Sequence, residues 1–343
     1  MDLLKELTEA FAPPGSEEEI RAICRRELEP LVDTIDVDAM GNLIARKAGS
    51  LAGERRRLML AGHMDEIGFL VRFVDERGFL RLNPAGGFDP KTLIAKRVIV
   101  KGKAGKRIGL IGTKPIHIMK DEEKKKMPLL EDLFVDLGLP AAQVAEEIEI
   151  GAPVTLWQRF ERWGTVATCK ALDNRVSMWT IIRALQRARS TAHDVVAVMT
   201  AQEEIGIRGS TVAAFGVDPD LGIAVDITLA CDVPDVEPRD HITRLGGGTA
   251  IKVMDSASIS HPGLVRRLRA LADEHEIPYQ LEVLPRGGTD ARGIQMAREG
   301  KPAATLSVPT RYVHSVVEML DVRDLEATAD LLARYLESER LLA

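Results

Sequence analysis

A continuous apolar run, Val195 to Met199, ends in Thr200, Ala201 and Gln202 and then in two adjacent carboxylates, Glu203 and Glu204. A strand covered on both faces of a parallel sheet reads this way, because neither face meets water. In open α/β sheets the chemistry lies beyond the carboxyl ends of such strands. Two neighbouring carboxylates there repel each other, so a cation or a shared proton has to hold them. Taken alone, the pair also fits a solvated loop, and what the rest of the chain sets opposite it decides between the two.

The pattern recurs. Leu58-Met59-Leu60 delivers Ala61-Gly62-His63-Met64-Asp65, LGIAVDIT (221–228) ends close to Asp226, and ATLSVPTRYVHS (304–315) reaches His314. Asp173 stands just before residues 174–188, where Val176, Trp179, Ile182 and Leu185 line one helical face. Residues 2–12 carry Leu3, Leu4, Leu7 and Phe11 at helical spacing, and Ser16 with Glu19 predicts a capping box for a second helix through Ile20, Ile23, Cys24 and Leu28. Strand-like runs follow at 34–37 and 43–45, split by Gly41-Asn42. An amphipathic helix through Leu264, Leu268 and Leu271, a strand at 280–284 and a closing helix at 322–342 complete an α/β series.

That series is interrupted. From 66 to 164 short β-rich runs alternate with glycine turns (GFLVRFV, FLRLN, RVIV, RIGLIG), which is hairpin chemistry and predicts a small barrel. Within it, DEEKKKM (121–127) reads as an exposed charge run. A chain of 343 residues exceeds one ordinary core, so the division expected is a discontinuous α/β domain, 1–65 with 165–343, around an inserted domain, 66–164. The RLGGGTA stretch (244–250) lacks the strand–GxGxxG–helix context of a nucleotide site.

Composition narrows the chemistry. A net charge of −6 and 4% aromatic residues leave no footprint for nucleic acid, and no apolar run is long enough to span a bilayer. Cys24, Cys169 and Cys231 are widely spaced without a CxxC, which argues for a reducing compartment and against a cysteine-built metal site. With no basic-then-apolar leader at the N-terminus, a cytoplasmic protein is expected.

His63, Glu203-Glu204, Asp226 and His314, each just after an apolar strand, and Asp173, just before a helix, are thus expected at one topological edge of the sheet. Carboxylates and imidazoles without cysteine suit zinc, cobalt or manganese. Asp173, one glutamate and Asp226 bring three negative charges, and neutral histidines bring none. Two divalent cations then leave room for a bridging hydroxide, and five protein ligands with one shared match an open two-metal hydrolytic site. The other glutamate is free to act as general base. In an extended segment residues two apart share a face, so Asp65 can accept from the second ring nitrogen of His63.

AGHMDEIGFLV (61–71), GLIGTKPIH (109–117), KALDNRVS (170–177), TAQEEIGIRGS (200–210), AVDIT (224–228), GGTDA (287–291) and PTRYVHSVVEM (309–319) together resemble the di-metal aminopeptidases of the tetrahedral, self-compartmentalising type. That family includes glutamyl, leucyl, lysyl and deblocking aminopeptidases, and some members are labelled endoglucanases. The resemblance implies a mixed-sheet, three-layer α/β fold of the zinc-peptidase type with an inserted barrel-like dimerisation domain. It implies His63, Asp173 and Asp226 on one metal, with Asp173 bridging to a second held by Glu204 and His314. Glu203 would be the general base, Asp65 would orient His63, and dimers would assemble into a homododecamer acting on peptides. One departure is Val316, two residues after His314, where many members have proline.

The remaining residues take plainer expectations. His117 is structural; His193, His241, His261 and His275 are surface or capping residues; Cys169 is a packed thiol. Thr289 and Asp290 shape a substrate loop, flanked by Arg286 and Arg292, which would favour acidic side chains if they face the cleft. Alternative functions are an N-acyl deacylase on the same metals, a glycosidase, or an idle assembly protein. A glycosidase would want two carboxyl groups about 5–9.5 Å apart across the scissile bond, which adjacent Glu203 and Glu204 do not suggest.

Overall fold

The computed structural model describes residues 1–343. Helices α1 (Asp2–Glu9) and α2 (Glu18–Leu28) precede strands β1 (Thr34–Val37), β2 (Leu43–Lys47) and β3 (Arg57–His63). The chain then forms a closed barrel from β4 (Gly68–Val74), β5 (Leu80–Ala85), β6 (Arg97–Gly102), β7 (Gly105–Gly112), β8 (Phe134–Asp136) and β9 (Pro153–Leu156). Two short helices, α3 (Asp121–Lys124) and α4 (Ala141–Glu147), lie between barrel strands. The return runs through β10 (Glu161–Trp163), β11 (Val166–Cys169), α5 (Leu172–Arg187), β12 (Asp194–Thr200) and α6 (Arg208–Val217). It ends with β13 (Leu221–Leu229), β14 (Thr249–Met254), α7 (Pro262–Glu274), β15 (Tyr279–Val283), α8 (Ala291–Gln295), β16 (Ala303–Arg311), β17 (Glu318–Asp321) and α9 (Val322–Glu337).

Outside the barrel all strands join one mixed sheet in the order β1-β2-β12-β3-β13-β16-β17-β11-β10, with β14 beside β16 and β15 beyond it. Its centre, β12-β3-β13-β16, is parallel. The expected mixed-sheet α/β class with a barrel is therefore the observed one. Alternation along each strand explains the layers: successive side chains point to opposite faces. Leu58, Leu60, Val195 and Ala197 enter a core of 47 buried residues shared with α1, α2, α5, α7 and α9. Met59, Ala61, Val196 and Val198 enter a core of only 13, shared with α6 and α8. The faces are unequal, and the larger one carries the long helices.

Several local expectations are corrected. Helix α5 does not bury one stripe: Leu172 to Ile182 are all buried, because α1 and α9 cover what the sheet does not. No capping box forms at Ser16. Glu17 occupies the N-cap position of α2, and its Oε1 accepts from Gly15 N at 2.7 Å, while Glu19 turns back to Phe11 N at 3.2 Å. Strand β13 does not stop at Asp226 but continues to Leu229. His193 is buried rather than on the surface, with Nδ1 3.1 Å from Arg56 N.

Two features hold the ends of β3 and α5 together. Gly62 packs against α5 so closely that a Cβ there would lie 2.5 Å from both Cβ and Oγ of Ser177. Gly62→Ala should therefore force β3 away from α5, costing about 1–3 kcal/mol as overpacking does. A lowered melting midpoint in thermal denaturation is the expected result, and an unchanged one would contradict so tight an approach. The second feature is ionic. Glu66 meets Lys170 Nζ at 2.6 Å and Arg175 at 3.1 Å, all three buried. Glu66 Oε1 also accepts from Ala12 N, while Lys170 and Arg175 donate to the carbonyls of Ala10 and Leu7. One buried triad thereby joins the end of β3, the start of α5 and the chain leaving α1.

Candidate metal centre

The candidate residues arrive from five different parts of the chain at the same edge of the sheet. His63 is the last residue of β3, Glu203 and Glu204 follow β12, and Asp226 lies within β13. Asp173 sits in the irregular first turn of α5, and His314 lies between β16 and β17. Asn174 hooks that turn to the sheet by donating from Nδ2 to Val225 O at 2.9 Å, one residue before Asp226. Gln202 and His314 both adopt left-handed backbone conformations, at φ 56° and 61°. Non-glycine residues hold that conformation only where their surroundings fix it. Asn42 helps at the first position: its Oδ1 accepts from Ala201 N at 2.8 Å and its Nδ2 donates to Gly209 O at 3.1 Å.

The side chains converge into two triplets sharing one member. His63, Asp173 and Asp226 place one ligand atom each within 4.8 Å of one another, and so do Asp173, Glu204 and His314. The two oxygens of Asp173 face opposite ways: Oδ1 lies 3.3 Å from His63 Nε2 and Oδ2 lies 3.4 Å from His314 Nε2. Glu204 Oε2 is 3.5 Å from His314 Nε2, and Glu203 Oε2 is 3.8 Å from His63 Nε2. Asp65 is completely buried beneath them. Its carboxylate accepts from the backbone N–H groups of Glu203 and Glu204 at 3.0 and 3.1 Å. The nearer partner of His63 Nδ1 is the Asp65 carbonyl at 3.0 Å, with the carboxylate at 3.6 Å. Asp65 thus contacts His63 mainly through its main chain and the glutamate pair through its side chain.

Electrostatics show what this cluster can hold. Burial pushes Glu203 and Asp226 well above the usual carboxylate range, and it pushes Glu204 up to about 8, with the charge of Asp173 adding to it. Asp173 is pulled down, because hydrogen bonds from His314 and His63 outweigh its burial. Burial opposes charge on the histidines, yet Asp173 and the surrounding carboxylates win, lifting His63 well above its ordinary value and His314 to about 10. Protein groups alone can satisfy so many carboxylates only by protonating some of them. Glu204 Oε1 is buried with no hydrogen-bond partner at all. Two oxygen-and-nitrogen triplets, an anionic surplus and an orphaned oxygen fit divalent cations, which favour the ionised carboxylate and the neutral imidazole.

A cavity of about 450 Å³ opens over the cluster. Ile207, Ile227, Leu229, Leu284 and Val313 supply apolar wall, and Lys252 and Arg286 line it as well. Lys252 is neutralised at 2.7 Å by buried Glu282. Arg292 lies on α8 and does not line the cavity. Thr289 and Asp290 sit below the surface instead of on a substrate loop: Asp290 accepts from Thr200 Oγ1 at 2.6 Å, and Thr289 pairs with Thr305. His117 is exposed in a 3₁₀ turn, and Cys169 is a buried thiol pushed up to about 11 by burial. Val316, two residues after His314, is buried in the barrel's own core.

Sequence reasoning overlooked Asn42, Asn174, the Glu66 triad and Glu318. All are polar residues doing their work by burial, and only the neighbouring motifs pointed toward them.

Comparison with known proteins agrees with this geometry. The chain is 35% identical to the lysyl aminopeptidase of Pyrococcus furiosus, over 98% of this chain and 96% of that one. Its fold matches the TET aminopeptidase of the marine-sediment archaeon Thaumarchaeota archaeon SCGC AB-539-E09 with a TM-score of 0.95 and 34% identity, covering 99% and 96% of the two chains. The TET1 peptidase of Pyrococcus horikoshii, which assembles into a tetrahedron or a large octahedral shell, matches at 0.86 and 29% identity over 98% of each chain. The family profile described as M42 glutamyl aminopeptidase covers residues 41–331, and the chain belongs to that family, as a metal-dependent aminopeptidase.

Proposed function

We propose that this aminopeptidase holds two divalent ions, one on His63, Asp173 and Asp226 and one on Asp173, Glu204 and His314, with Glu203 as general base. The observation carrying this reading is the divided carboxylate of Asp173, whose two oxygens face different histidines and different triplets. When bound, the ions supply Lewis acidity to a carbonyl and lower the pKa of a water. The rest falls to the chain. Glu203, beside His63 but in neither triplet, takes the water proton and returns it to the leaving amine. Asp65 fixes where that base stands by holding the backbone of Glu203 and Glu204. The apolar cavity wall receives the side chain of the N-terminal residue and keeps water off the reacting groups.

The ions are zinc or cobalt, with manganese a third candidate on ligand type. Residues 1–65 with 165–343 form the catalytic unit, and 66–164 form the dimerisation unit, from which a homododecamer assembles. The assembling TET1 relative supports oligomers of this kind. Three free thiols suit a cytoplasmic setting, and no helix is long and apolar enough to cross a membrane.

Dialysis against a chelator followed by return of zinc, cobalt or manganese tests the reading. Hydrolysis of an aminoacyl-anilide panel should disappear and come back with added metal, and activity surviving complete metal removal would exclude the site. Adding N-acyl amino acids to the panel separates a deacylase from an aminopeptidase. Arg286, unlike Arg292, faces the cavity. If it reads the substrate, Arg286→Ala should lower kcat/KM for glutamyl anilide more than for leucyl anilide, on the order of tenfold for one lost charge-assisted hydrogen bond. Equal losses on both substrates would remove Arg286 from specificity.

A further inference from the structure

Glu318, the first residue of β17, is a completely buried carboxylate with no cationic side chain in contact. Its two oxygens are both used, and both partners are backbone N–H groups in metal-ligand segments. Oε2 accepts from Asp173 N at 3.0 Å, and Oε1 accepts from His314 N at 2.8 Å. Burial works against its charge, so only something gained elsewhere explains a carboxylate at this position. His314 shows what is gained. It stands at φ 61°, Tyr312 two residues earlier stands at φ 58°, and such a segment keeps its shape only if held. Glu318 holds it at the residue whose imidazole must point at Asp173 and Glu204.

The arrangement repeats that of Asp65 on the other side of the cluster, where one buried carboxylate accepts from two consecutive backbone amides. Asp65 sets Glu203 and Glu204, and Glu318 sets Asp173 and His314. Resting on the two-ion reading above, we propose that Glu318 is a positioning residue for the second ion, fixing the Asp173 and His314 main chains without touching the ion itself. Its removal should weaken the Asp173–Glu204–His314 site more than the His63–Asp173–Asp226 site, since only the former takes both of its clamped residues.

Titration of the metal-free protein with Co²⁺, followed by calorimetry and by chelator competition, reads this directly. Wild type should bind two ions. Glu318→Gln, which offers only one oxygen to two N–H groups, should weaken one of the two sites about 10–100-fold, the range seen when a partner behind a metal ligand is lost. Glu318→Asp keeps the charge but is too short to reach both amides, so the same site should weaken. Two unchanged affinities in either folded variant would overturn the proposal, as would equal weakening of both sites. Collapse of the fold in both variants would overturn it too, because Glu318 would then be a folding determinant. A wild-type protein that binds no Co²⁺ would instead refute the two-ion reading, so the two failures are distinct.

Discussion

Glu203→Gln is expected to lower kcat about 10²–10⁴-fold on an aminoacyl-anilide, the contribution general-base catalysis makes when the group is placed in the site. Glutamine keeps the shape and the backbone hydrogen bond to Asp65 but cannot accept the water proton. Glu203 belongs to neither ligand triplet, so the variant should still bind its ions and melt near the wild-type temperature. That combination, intact metal content with lost turnover, separates it from Glu204→Gln. In the latter a member of the second triplet changes, and metal affinity should fall together with rate. A Glu203→Gln enzyme with near-wild-type kcat and full metal content would take the base role away from Glu203 altogether.

The largest effect on stability is expected at Glu66. Alanine there would leave Lys170 and Arg175 buried without their carboxylate and orphan the amide of Ala12. Breaking a buried ion pair from one side costs about 3–5 kcal/mol, because the remaining charge is uncompensated and out of water. Urea unfolding followed by circular dichroism should show a large fall in midpoint. A shift of a few tenths of a kcal/mol would mean that solvent reaches the two cations. Replacing all three members by apolar residues of similar volume should recover only the part due to the uncompensated charges, since Ala12 N and the Ala10 and Leu7 carbonyls stay without their partners.

How much of this was legible in the sequence follows from what each residue type can signal. The parallel strands were readable because a strand covered on both faces has no polar positions, as Leu58–Leu60 and Val195–Met199 illustrate. The barrel was readable from its glycine turns. The candidate site was readable because its residues follow such strands one after another, with motif resemblance sharpening the roles. The misses share a cause. Burial of α5 on all sides depends on α1 and α9, distant in sequence, and a helical pattern read alone cannot include them. Ser16 and Glu19 satisfy a capping pattern, yet the N-cap falls one residue later at Glu17, and Glu19 is drawn back to Phe11 N. Asp226 looked like a strand terminus because a carboxylate is improbable inside a buried strand. It is tolerated there as one of the cluster that the cations would neutralise. Glu318 and Asn42 showed only as members of a motif and a turn, since a side chain that hydrogen-bonds main chain selects a geometry and carries no signature of its own.

The Glu66 triad also has a meaning for descent. Glu66 stands just before the barrel's first strand and its two cations stand just after β11, so one buried knot ties the chain entering the barrel to the chain returning from it. A cassette tied off at its neck can lengthen a hairpin or rework its outer face with little disturbance passed to His63 and Asp173 just inside the tie. The one crossing that escapes the tie is Val316, which enters the barrel's core two residues after His314 and so passes changes there to that histidine.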